Sequence, residues 1–342
     1  MKSKKVRVGI VGAGRWAQAS HLPSLAALKN VELSAISNLN YDSSVKIANR
    51  FNIKHVFKSW KELVGFKDLD AVIVLSPPKT HHPVTMSALK NKKHVLCEGP
   101  LAMNFLQAKE MLKTATDNSL VHGYIRPKLY IDGGTKIKQV ILNGQIGEIQ
   151  NVLVSWRPKV WLDKKTPLCW RHLISQSPPL LSVVPIIMLI EIFGPIRSVI
   201  AGYNIFEKNR YSEKNKRRMR VTTPDYFHSI LDLKSGVRVT IEAGVGCTKF
   251  PVSGFYIFGT KGTLIWEWTL PNRILIGRPG KAEPANIPYT LNFKKGWKFD
   301  RDFVGSILHR SIPDYNFNHG VYEMKVIDAI QLSAQNKREI LL

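Results

Sequence analysis

The fold is decided by residues Val6–Ala17, which read VRVGIVGAGRWA. The first half of this stretch is a β-branched apolar run, typical of a buried strand and too short to cross a membrane. Gly12 and Gly14 follow, and glycines let the backbone turn tightly and approach a ligand. A helix is predicted next, from Gln18 to Leu28, with its N-terminus at the turn, where an anion binds well. The stretch therefore predicts a strand, a phosphate-binding turn and a helix.

This pattern is the dinucleotide fingerprint, with Ala17 in its third position, where the helix packs on the strand. We therefore expect NAD or NADP as the cofactor. The fingerprint calls for an acid about 20 residues further on, at the end of the next strand, to bind the adenosine ribose. That strand is Val31–Ile36, and Asn38 stands in the position of the acid. Since asparagine bonds a 2′-hydroxyl without repelling a 2′-phosphate, both cofactors stay open.

Strands and helices continue to alternate after this point. Helices are predicted at Ser43–Phe51 and Trp60–Val64, and strands near His55-Val56 and at Ala71–Leu75. This alternation predicts a parallel, doubly wound α/β sheet. The segment Ser76–His82 closes the last of these strands at its carboxyl end, where such sheets bind ligands.

The charge of the chain is strongly positive. Its formal net charge is +25, but the 50 basic residues are spread along the chain, and only Lys208–Arg220 forms a dense block. We interpret that block as a solvated loop. A nucleic-acid partner is the least supported interpretation, because no base-stacking or groove-reading motif accompanies the charge.

Cysteine content and apolar runs bear on the compartment. The three cysteines are too few and too scattered for a disulfide framework or a metal cluster: Cys97, Cys169 and Cys247. This favours a reducing compartment, so we expect a cytoplasmic protein without a metal site. Glycines interrupt the N-terminal apolar run, so no signal peptide is expected. The longest apolar stretch, Leu180–Phe193, contains Pro185 and is shorter than a membrane span, so no membrane association is expected.

A resemblance to a known family rests on motifs spread over nearly the whole chain. These motifs are SPPKTHH (Ser76–His82), KKHVLCEGPLA (Lys92–Ala102), IKQVILNGQIGEIQNVLV (Ile137–Val154), Trp170-Arg171, FYIFGTKGTL (Phe255–Leu264) and IDAIQLSAQNKREILL (Ile327–Leu342). In their order and spacing the chain resembles the glucose–fructose oxidoreductase/inositol dehydrogenase/MocA (Gfo/Idh/MocA) family.

The resemblance implies two domains. Residues 1–124 would form a Rossmann domain, and residues 125–342 a C-terminal α+β domain with an open, mostly antiparallel sheet. The sheet face is expected to build a homodimer or homotetramer, and the last helix to pack back on the first domain. Independently, the residues predict strands at Val152–Trp156, Ser198–Phe206, Phe227–Leu233, Val237–Gly244, Val252–Phe258 and Gly262–Trp266, and helices at Phe303–His309 and Gly320–Gln335.

The cofactor is expected along the carboxyl ends of the first strands. Its pyrophosphate would lie on the glycine turn, formed by Gly12, Gly14, Arg15, Trp16 and Ala17. Its adenosine ribose would lie at Asn38. The middle and the nicotinamide end would contact Ser76, Pro77 and His81, then Glu98 and Gly99.

The catalytic residues of the family are missing from this chain. Family members that oxidise sugars or polyols resemble one another in a lysine between the Glu and Pro of the CEGP motif, and in an Asp and a His four apart on a helix. Here the lysine position is Gly99, and the Asp and His positions align with Ser182 and Ile186. Because oxidising a hydroxyl needs a positioned base, loss of all three is expected to abolish alcohol oxidation.

Two functions therefore stay nearly level. The slightly favoured one is an NAD(P)-dependent reductase of an activated C=N or conjugated C=C bond, which needs only a weak proton source. Tyr124 and His172 are its candidate catalytic residues, with Tyr130 and His122 as further donors. The alternative is a catalytically inactive dinucleotide-binding protein with a sensor or scaffold role. The apolar helix LLSVVPIIMLIEIF predicts an apolar or conjugated substrate, or a pocket filled by its own side chains.

Overall fold

The computed structural model describes residues 5–126, 128–157, 165–244, 253–267, 273–289 and 298–342, without the side chains of residues 128–132. The chain divides into two compact units. Unit 1 consists of Met1–Arg126 and Phe293–Met324, and unit 2 consists of Pro127–Asn292 and Lys325–Leu342. Among the described residues, no helix combines the length and the apolar character that crossing a membrane requires.

Unit 1 contains a parallel sheet. Its described strands are β1 (Val6–Val11), β2 (Val31–Ser37), β3 (His55–Val56), β4 (Ala71–Val74), β5 (His94–Glu98) and β6 (His122–Ile125). They are arranged in the order β3-β2-β1-β4-β5-β6, and every neighbouring pair is parallel. The predicted doubly wound sheet is thus confirmed. The strand order reverses between β1 and β4, and the carboxyl ends at such a reversal form the ligand crevice of open α/β sheets.

The helix after the glycine turn differs from the prediction. The expected single helix is wrong, because the chain forms α1 (Arg15–Ala19) and α2 (His21–Ala26), which meet at Ser20. Pro23 explains the break, since a proline inside a helix lacks an N–H and clashes with the carbonyl four residues earlier. Restarting at His21 places Pro23 in a first turn, where N–H groups have no partner within the helix.

The other helices of unit 1 follow the strands in sequence. They are α3 (Tyr41–Phe51), α4 (Trp60–Gly65), α5 (His81–Lys90), α6 (Phe105–Asp117) and, after unit 2 has begun, α9 (Lys298–His309). A further helix, α10 (Phe317–Asn336), belongs to unit 1 as far as Met324 and to unit 2 from Lys325. Side-chain oxygens cap the first turns of α3, α4 and α6, where Asn40, Ser59 and Asn104 accept backbone N–H bonds.

Unit 2 contains a large, mostly antiparallel sheet. The described strands of the unit are β7 (Ile149–Trp156), β8 (Ile196–Asn204), β9 (Asn209–Ser212), β10 (Arg217–Arg220), β11 (Tyr226–Leu233), β12 (Arg238–Gly244), β13 (Gly254–Gly259), β14 (Gly262–Glu267), β15 (Arg273–Gly277), β16 (Ala285–Ile287) and β17 (Ile340–Leu341). Nine of these described strands form one sheet, in the order β16-β15-β14-β13-β7-β12-β11-β8-β17. Only its β7–β12 pair is parallel within the described part of the chain, which confirms the predicted sheet type.

One face of this sheet is covered by helices. The helix α8 (Leu180–Phe193) contacts β7, β11 and β12, and α7 (Lys128–Leu142) contacts β14. Residues along β11 alternate accordingly, so that Leu231 is buried while Ile230 is 42% exposed. On other strands of the sheet, Leu153 and Ile200 are also exposed, by 44% and 48%. Ile230 and Ile200 are paired on neighbouring strands, and Thr240 of β12 separates Ile230 from Leu153 in the same row. This row of mostly apolar side chains has no cover from the described chain.

The basic block Lys208–Arg220 is an ordered ribbon, so its interpretation as a loop is wrong. Strands β9 and β10 pair as a separate two-stranded sheet, with Arg218 opposite Tyr211. Residues along β9 alternate between exposed and buried positions, whereas none of β10 is fully buried. Arg210 is at a buried position of β9 and donates to the carbonyl of Thr166 at 2.9 Å, which satisfies its charge-bearing group.

Candidate functional site

The glycine turn at the end of β1 lies directly against the end of β4. Gly12 has a φ of +87°, and a β-carbon on it would stand 2.6 Å from the α-carbon of Ser76. Only glycine fits there, on both conformational and steric grounds. Around Gly14, by contrast, a β-carbon would meet no atom within 4 Å, so the space above the turn is open. This combination of close packing below and open space above fits the pyrophosphate of a dinucleotide.

The residues after the turn divide between surface and core. Arg15 is exposed and Trp16 is 46% exposed, whereas Ala17 is buried in the first turns of the helix pair. Two side chains are thus available beside the glycine turn, while the small Ala17 packs inside unit 1.

Asn38 stands immediately after β2 and is bonded to the glycine turn. Its side-chain Oδ1 accepts the N–H of Ala13 at 2.6 Å. Its own backbone N–H donates to Oγ of Ser44 at 2.8 Å, and its Nδ2 donates to Oγ of Ser43 at 3.4 Å. The side chain thereby joins the turn, the end of β2 and the start of α3.

The ring of His81 bridges the loops that follow β4 and β5. Its Nε2 lies 2.6 Å from the carbonyl of Ser76 and its Nδ1 lies 2.8 Å from the carbonyl of Pro100. The ring is buried, and burial lowers its pKa, so near pH 7 it donates one of these bonds at a time. His81 holds the ends of β4 and β5 together, and its contact with the cofactor stays a prediction.

The remaining predicted cofactor residues lie around the His81 ring. Ser76 and Pro77 are half-buried, and the hydroxyl of Ser76 lies 2.6 Å from that of Thr80. Glu98 and Gly99 are half-buried at the end of β5. The structure therefore brings the ends of β1, β2, β4 and β5 to one edge of the parallel sheet, as the sequence predicts.

The lysine position at Gly99 faces a buried tyrosine. A β-carbon on Gly99 would stand 2.8 Å from the hydroxyl oxygen of Tyr124 and 3.1 Å from the carbonyl of Ile125. The backbone N–H of Gly99 also donates to that carbonyl, at 3.0 Å. Any side chain at position 99 therefore competes with the Tyr124 hydroxyl for space.

Tyr124 belongs to a buried polar cluster that sequence reasoning missed. Its hydroxyl donates to Oε2 of Glu323 at 2.6 Å, and Nε of Arg126 donates to Oε1 of the same carboxylate at 2.7 Å. Arg126 also forms an ion pair with Glu323 through Nη2, and its guanidinium lies over the ring of Tyr315. Burial and the Glu323 charge raise the pKa of Tyr124 well above its usual value, so the phenol keeps its proton at neutral pH.

His172 is placed as a capping residue. It ends the one-turn 3-10 helix Trp170–His172, and its Nδ1 accepts the N–H of Cys169 at 3.0 Å. Its own carbonyl accepts the N–H of Thr222 at 3.0 Å, and the residue is buried. The structure thus gives the ring a local structural role within unit 2, and it supplies no support for the expected catalytic one. The side chain of Tyr130 lies outside the described residues.

Ser182 and Ile186 are both buried in α8 of unit 2. The hydroxyl of Ser182 donates to the carbonyl of Pro179 at 2.8 Å and accepts the hydroxyl of Tyr203 at 2.9 Å. The helix runs from Leu180 to Phe193 with Pro185 in its interior. Neither aligned position offers an acid, a base or an unused hydroxyl proton.

The described residues contain no cluster of His, Cys, Asp or Glu able to hold a metal ion. The described cysteines, Cys97 and Cys169, are free thiols, and Cys247 lies outside the described residues. The chemistry of the described site is therefore that of backbone N–H groups, amides and hydroxyls around a glycine turn.

Similar proteins match between 42% and 98% of this chain. An uncharacterized oxidoreductase of Synechocystis is 20% identical over 98% of this chain and 96% of its own. Glucose-6-phosphate 3-dehydrogenase of Bacillus subtilis is 27% identical over 69% of this chain and 66% of its own. Myo-inositol 2-dehydrogenase of Thermotoga maritima is 30% identical, over 42% of each chain.

Solved structures with the same fold include two dehydrogenases crystallised with NADH. Levoglucosan dehydrogenase in complex with NADH and levoglucosan superposes with a TM-score of 0.85, at 20% identity and 99% coverage of both chains. The WlbA dehydrogenase of Bordetella pertussis in complex with NADH and UDP-GlcNAcA superposes with a TM-score of 0.79, at 19% identity and 99% coverage of both.

Two family profiles match the chain. An oxidoreductase-family NAD-binding Rossmann fold matches residues 6–124, and the C-terminal alpha/beta domain of the same family matches residues 138–342. With its strand order, its glycine turn and these matches, the chain belongs to the Gfo/Idh/MocA oxidoreductase family and carries the NAD-binding domain of that family.

Proposed function

We propose that the chain is an NAD(P)H-dependent reductase of an activated C=N bond or a conjugated C=C bond. The observation that carries this proposal is the contact between Gly99 and Tyr124. The protonated phenol of Tyr124 lies against position 99, where sugar-oxidising members of the family share a lysine. A neutral hydroxyl can give a proton, whereas alcohol oxidation needs a group that takes one.

In this proposal, the dinucleotide binds at the edge of the parallel sheet where β1, β2, β4 and β5 end. The pyrophosphate lies on the turn at Gly12, Gly14, Arg15 and Trp16, the adenosine ribose at Asn38, and the nicotinamide end near Ser76, Pro77, Glu98 and Gly99. When bound, NAD(P)H supplies the hydride. His81 keeps the Ser76 and Pro100 loops at a fixed distance, so that this edge is preformed.

Tyr124 is the proposed proton donor. In the resting protein its O–H donates to Glu323. Turning this O–H toward a substrate nitrogen or carbon beside Gly99 breaks the O–H bond and forms a new N–H or C–H bond, and the phenolate that is left takes a proton from solvent. Arg126 holds the Glu323 carboxylate in place, so the carboxylate orients the phenol before the transfer. The raised pKa of Tyr124 keeps the phenol protonated at neutral pH, so that no phenolate is present to take a proton from an alcohol.

This chain lacks the base with which sugar dehydrogenases of the family take up the hydroxyl proton. The activities in the relatives' names therefore do not carry over to it directly. The similar proteins include dehydrogenases of glucose-6-phosphate and myo-inositol. At the corresponding places this chain has Gly99, Ser182 and Ile186, and the Ser182 hydroxyl is already bonded to Pro179. We therefore do not extend polyol or aldose oxidation to it.

A second candidate function is dinucleotide binding without catalysis. The observation that favours it is that the hydroxyl protons of both Tyr124 and Ser182 are used inside the protein, by Glu323 and Pro179. Both residues are buried. A protein of this kind would bind NAD(P)H as a sensor or scaffold without consuming it.

We further propose that the open sheet face of unit 2 joins copies of the chain into a dimer or tetramer. Exposed Leu153, Ile200 and Ile230 support this, because neighbouring apolar side chains on a surface mark interaction sites. Light scattering on the purified chain tests the assembly. Ile230→Lys is expected to dissociate it.

One pair of measurements separates the two functions. Calorimetric titration with NADH and NADPH tests binding, and loss of absorbance at 340 nm with 2-methyl-1-pyrroline or 2-cyclohexenone tests reduction. Binding with consumption supports the reductase. Binding without consumption of either probe supports the non-catalytic protein, and no binding at millimolar ligand contradicts both.

A further inference from the structure

The amide of Asn38 has a fixed orientation at the end of β2. Its Oδ1 accepts the N–H of Ala13, and only the oxygen of the amide can accept that bond. The NH2 group is therefore turned the other way, toward Oγ of Ser43 at 3.4 Å. The side chain presents donors where the fingerprint of NAD-binding proteins presents a carboxylate.

A carboxylate at this place serves NAD by accepting the 2′-hydroxyl of the ribose and opposes NADP by repelling its 2′-phosphate. Among residues 37–41, which follow one another at the end of β2, none is acidic. Asp42 is the nearest acid in sequence, and it is exposed in the first turn of α3. The donor groups of Asn38 and Ser43 suit phosphate oxygens better than a ribose hydroxyl pair that seeks an acceptor.

Two cations accompany these donors. The bond between Ala13 and Asn38 holds the glycine turn against the end of β2, and Arg15 follows two residues later on that turn. Lys58 follows β3, and its ammonium lies 5.9 Å from the ring centre of Tyr41 at the start of α3. Arg15 and Lys58 are both exposed, and neither forms an ion pair with another described residue. These two positive charges outnumber the one negative charge of Asp42, so the net charge of these three side chains is positive.

We infer that the end of β2 is a subsite for the 2′-phosphate of NADP(H), formed by Asn38, Ser43, Arg15 and Lys58, and that the chain binds NADP(H) in preference to NAD(H). This inference rests on the proposed dinucleotide site. It adds the identity of the cofactor, and it assigns a role to Lys58 and a second contact to Arg15.

The test is calorimetric titration of the full chain with NADPH and NADH at one fixed ionic strength. The wild-type chain is expected to bind NADPH at least tenfold more tightly. Asn38→Asp keeps an acceptor for the Ala13 N–H, so it should fold, and it should weaken NADPH at least tenfold while leaving NADH within about threefold. Lys58→Gln should weaken NADPH and spare NADH, whereas Arg15→Gln, at a residue that also lines the pyrophosphate turn, should weaken both dinucleotides and NADPH the more. Lys90→Gln, the same change at an exposed lysine of α5, should alter neither.

Equal or tighter binding of NADH by the wild-type chain would overturn the inference and leave the proposed function intact. An unchanged NADPH-to-NADH ratio in Asn38→Asp would also overturn it, because the asparagine would then not face the phosphate. Failure of both dinucleotides to bind would contradict the proposed function as well, so the two failures are distinguishable.

Discussion

The hydroxyl oxygen of Tyr124 lies 2.8 Å from the point where a β-carbon on Gly99 would stand. Real β-carbons essentially never approach another atom so closely, so the two positions are sterically coupled. The glycine that removes the family's lysine is also the residue that leaves room for a buried phenol. The loss of one catalytic group and the placement of another are thus a single structural feature.

A first prediction follows from this coupling. Gly99→Ala is expected to destabilise the protein by about 1–3 kcal/mol, as overpacking of a filled site does. In a Tyr124→Phe background the same substitution should cost less, because the hydroxyl is gone and the nearest ring carbon lies 3.3 Å away. Urea unfolding of the two single variants and the double variant measures the difference. Strictly additive effects would show that the two positions are not coupled.

The second prediction concerns Glu323, the acceptor for both Tyr124 and Arg126. Glu323→Ala leaves the buried guanidinium of Arg126 without its counter-charge, and breaking a buried pair in this way costs about 3–5 kcal/mol. The matched control is Asp117→Asn, which breaks the exposed pair with Lys113 and should cost less than about 1 kcal/mol. Similar unfolding midpoints for the two variants would refute the role given to the buried cluster.

The third prediction is that myo-inositol and glucose are not oxidised with NAD⁺ or NADP⁺. Gly99→Lys should not create this activity, because the new side chain meets the Tyr124 hydroxyl and because the sequence has Ser182 and Ile186 at the positions that align with the family's Asp and His. Spectrophotometry at 340 nm checks both proteins. Turnover of either compound by the wild-type chain would mean that another residue acts as the base.

The fourth prediction links stability to pH through His122. Burial lowers the pKa of His122 to about 4, and its Nδ1 accepts the N–H of Phe317 at 3.2 Å. Since the unfolded value is about 6.5, the unfolded chain binds more protons between these pH values, and stability must fall as the pH drops from about 6.5 to 4. At pH 4, the His122 contribution alone lowers the free energy of unfolding by about 3 kcal/mol.

His122→Asn keeps an acceptor near the Phe317 N–H and removes the titration. The variant should therefore lose less stability than the wild-type chain between pH 7 and pH 4.5. Urea midpoints at several pH values measure this. Parallel pH profiles would contradict the assignment.

Much of the fold was accessible from the sequence, because the signals are local. The apolar run at Val6–Val11 and the glycines after it predict β1 and its turn, and alternation along the chain predicts the parallel sheet. In unit 2, alternating residues predict the central strands, such as β11 and β12. The ribbon of β9 and β10 was missed because its residues are polar and charged on the exposed face, which hides the strand pattern.

The candidate site was less accessible, because its decisive contacts are distant in sequence. Tyr124 and Glu323 are 199 residues apart, and no spacing rule connects them. The two carbonyls that hold the His81 ring belong to different loops, so its positioning role could not be predicted from local sequence. The positions of Gly12 and Asn38 could be predicted, since the fingerprint itself specifies them.

The measurement that tests the central claim most directly compares wild-type and Tyr124→Phe protein in NAD(P)H-dependent reduction of 2-methyl-1-pyrroline and 2-cyclohexenone. We predict that the wild-type chain consumes NAD(P)H with at least one of these probes. Tyr124→Phe should lower kcat by about 10²–10⁴, the share of a positioned acid, while the calorimetric affinity for the dinucleotide stays the same. An unchanged kcat in Tyr124→Phe, or oxidation of myo-inositol in place of reduction of either probe, would contradict the account.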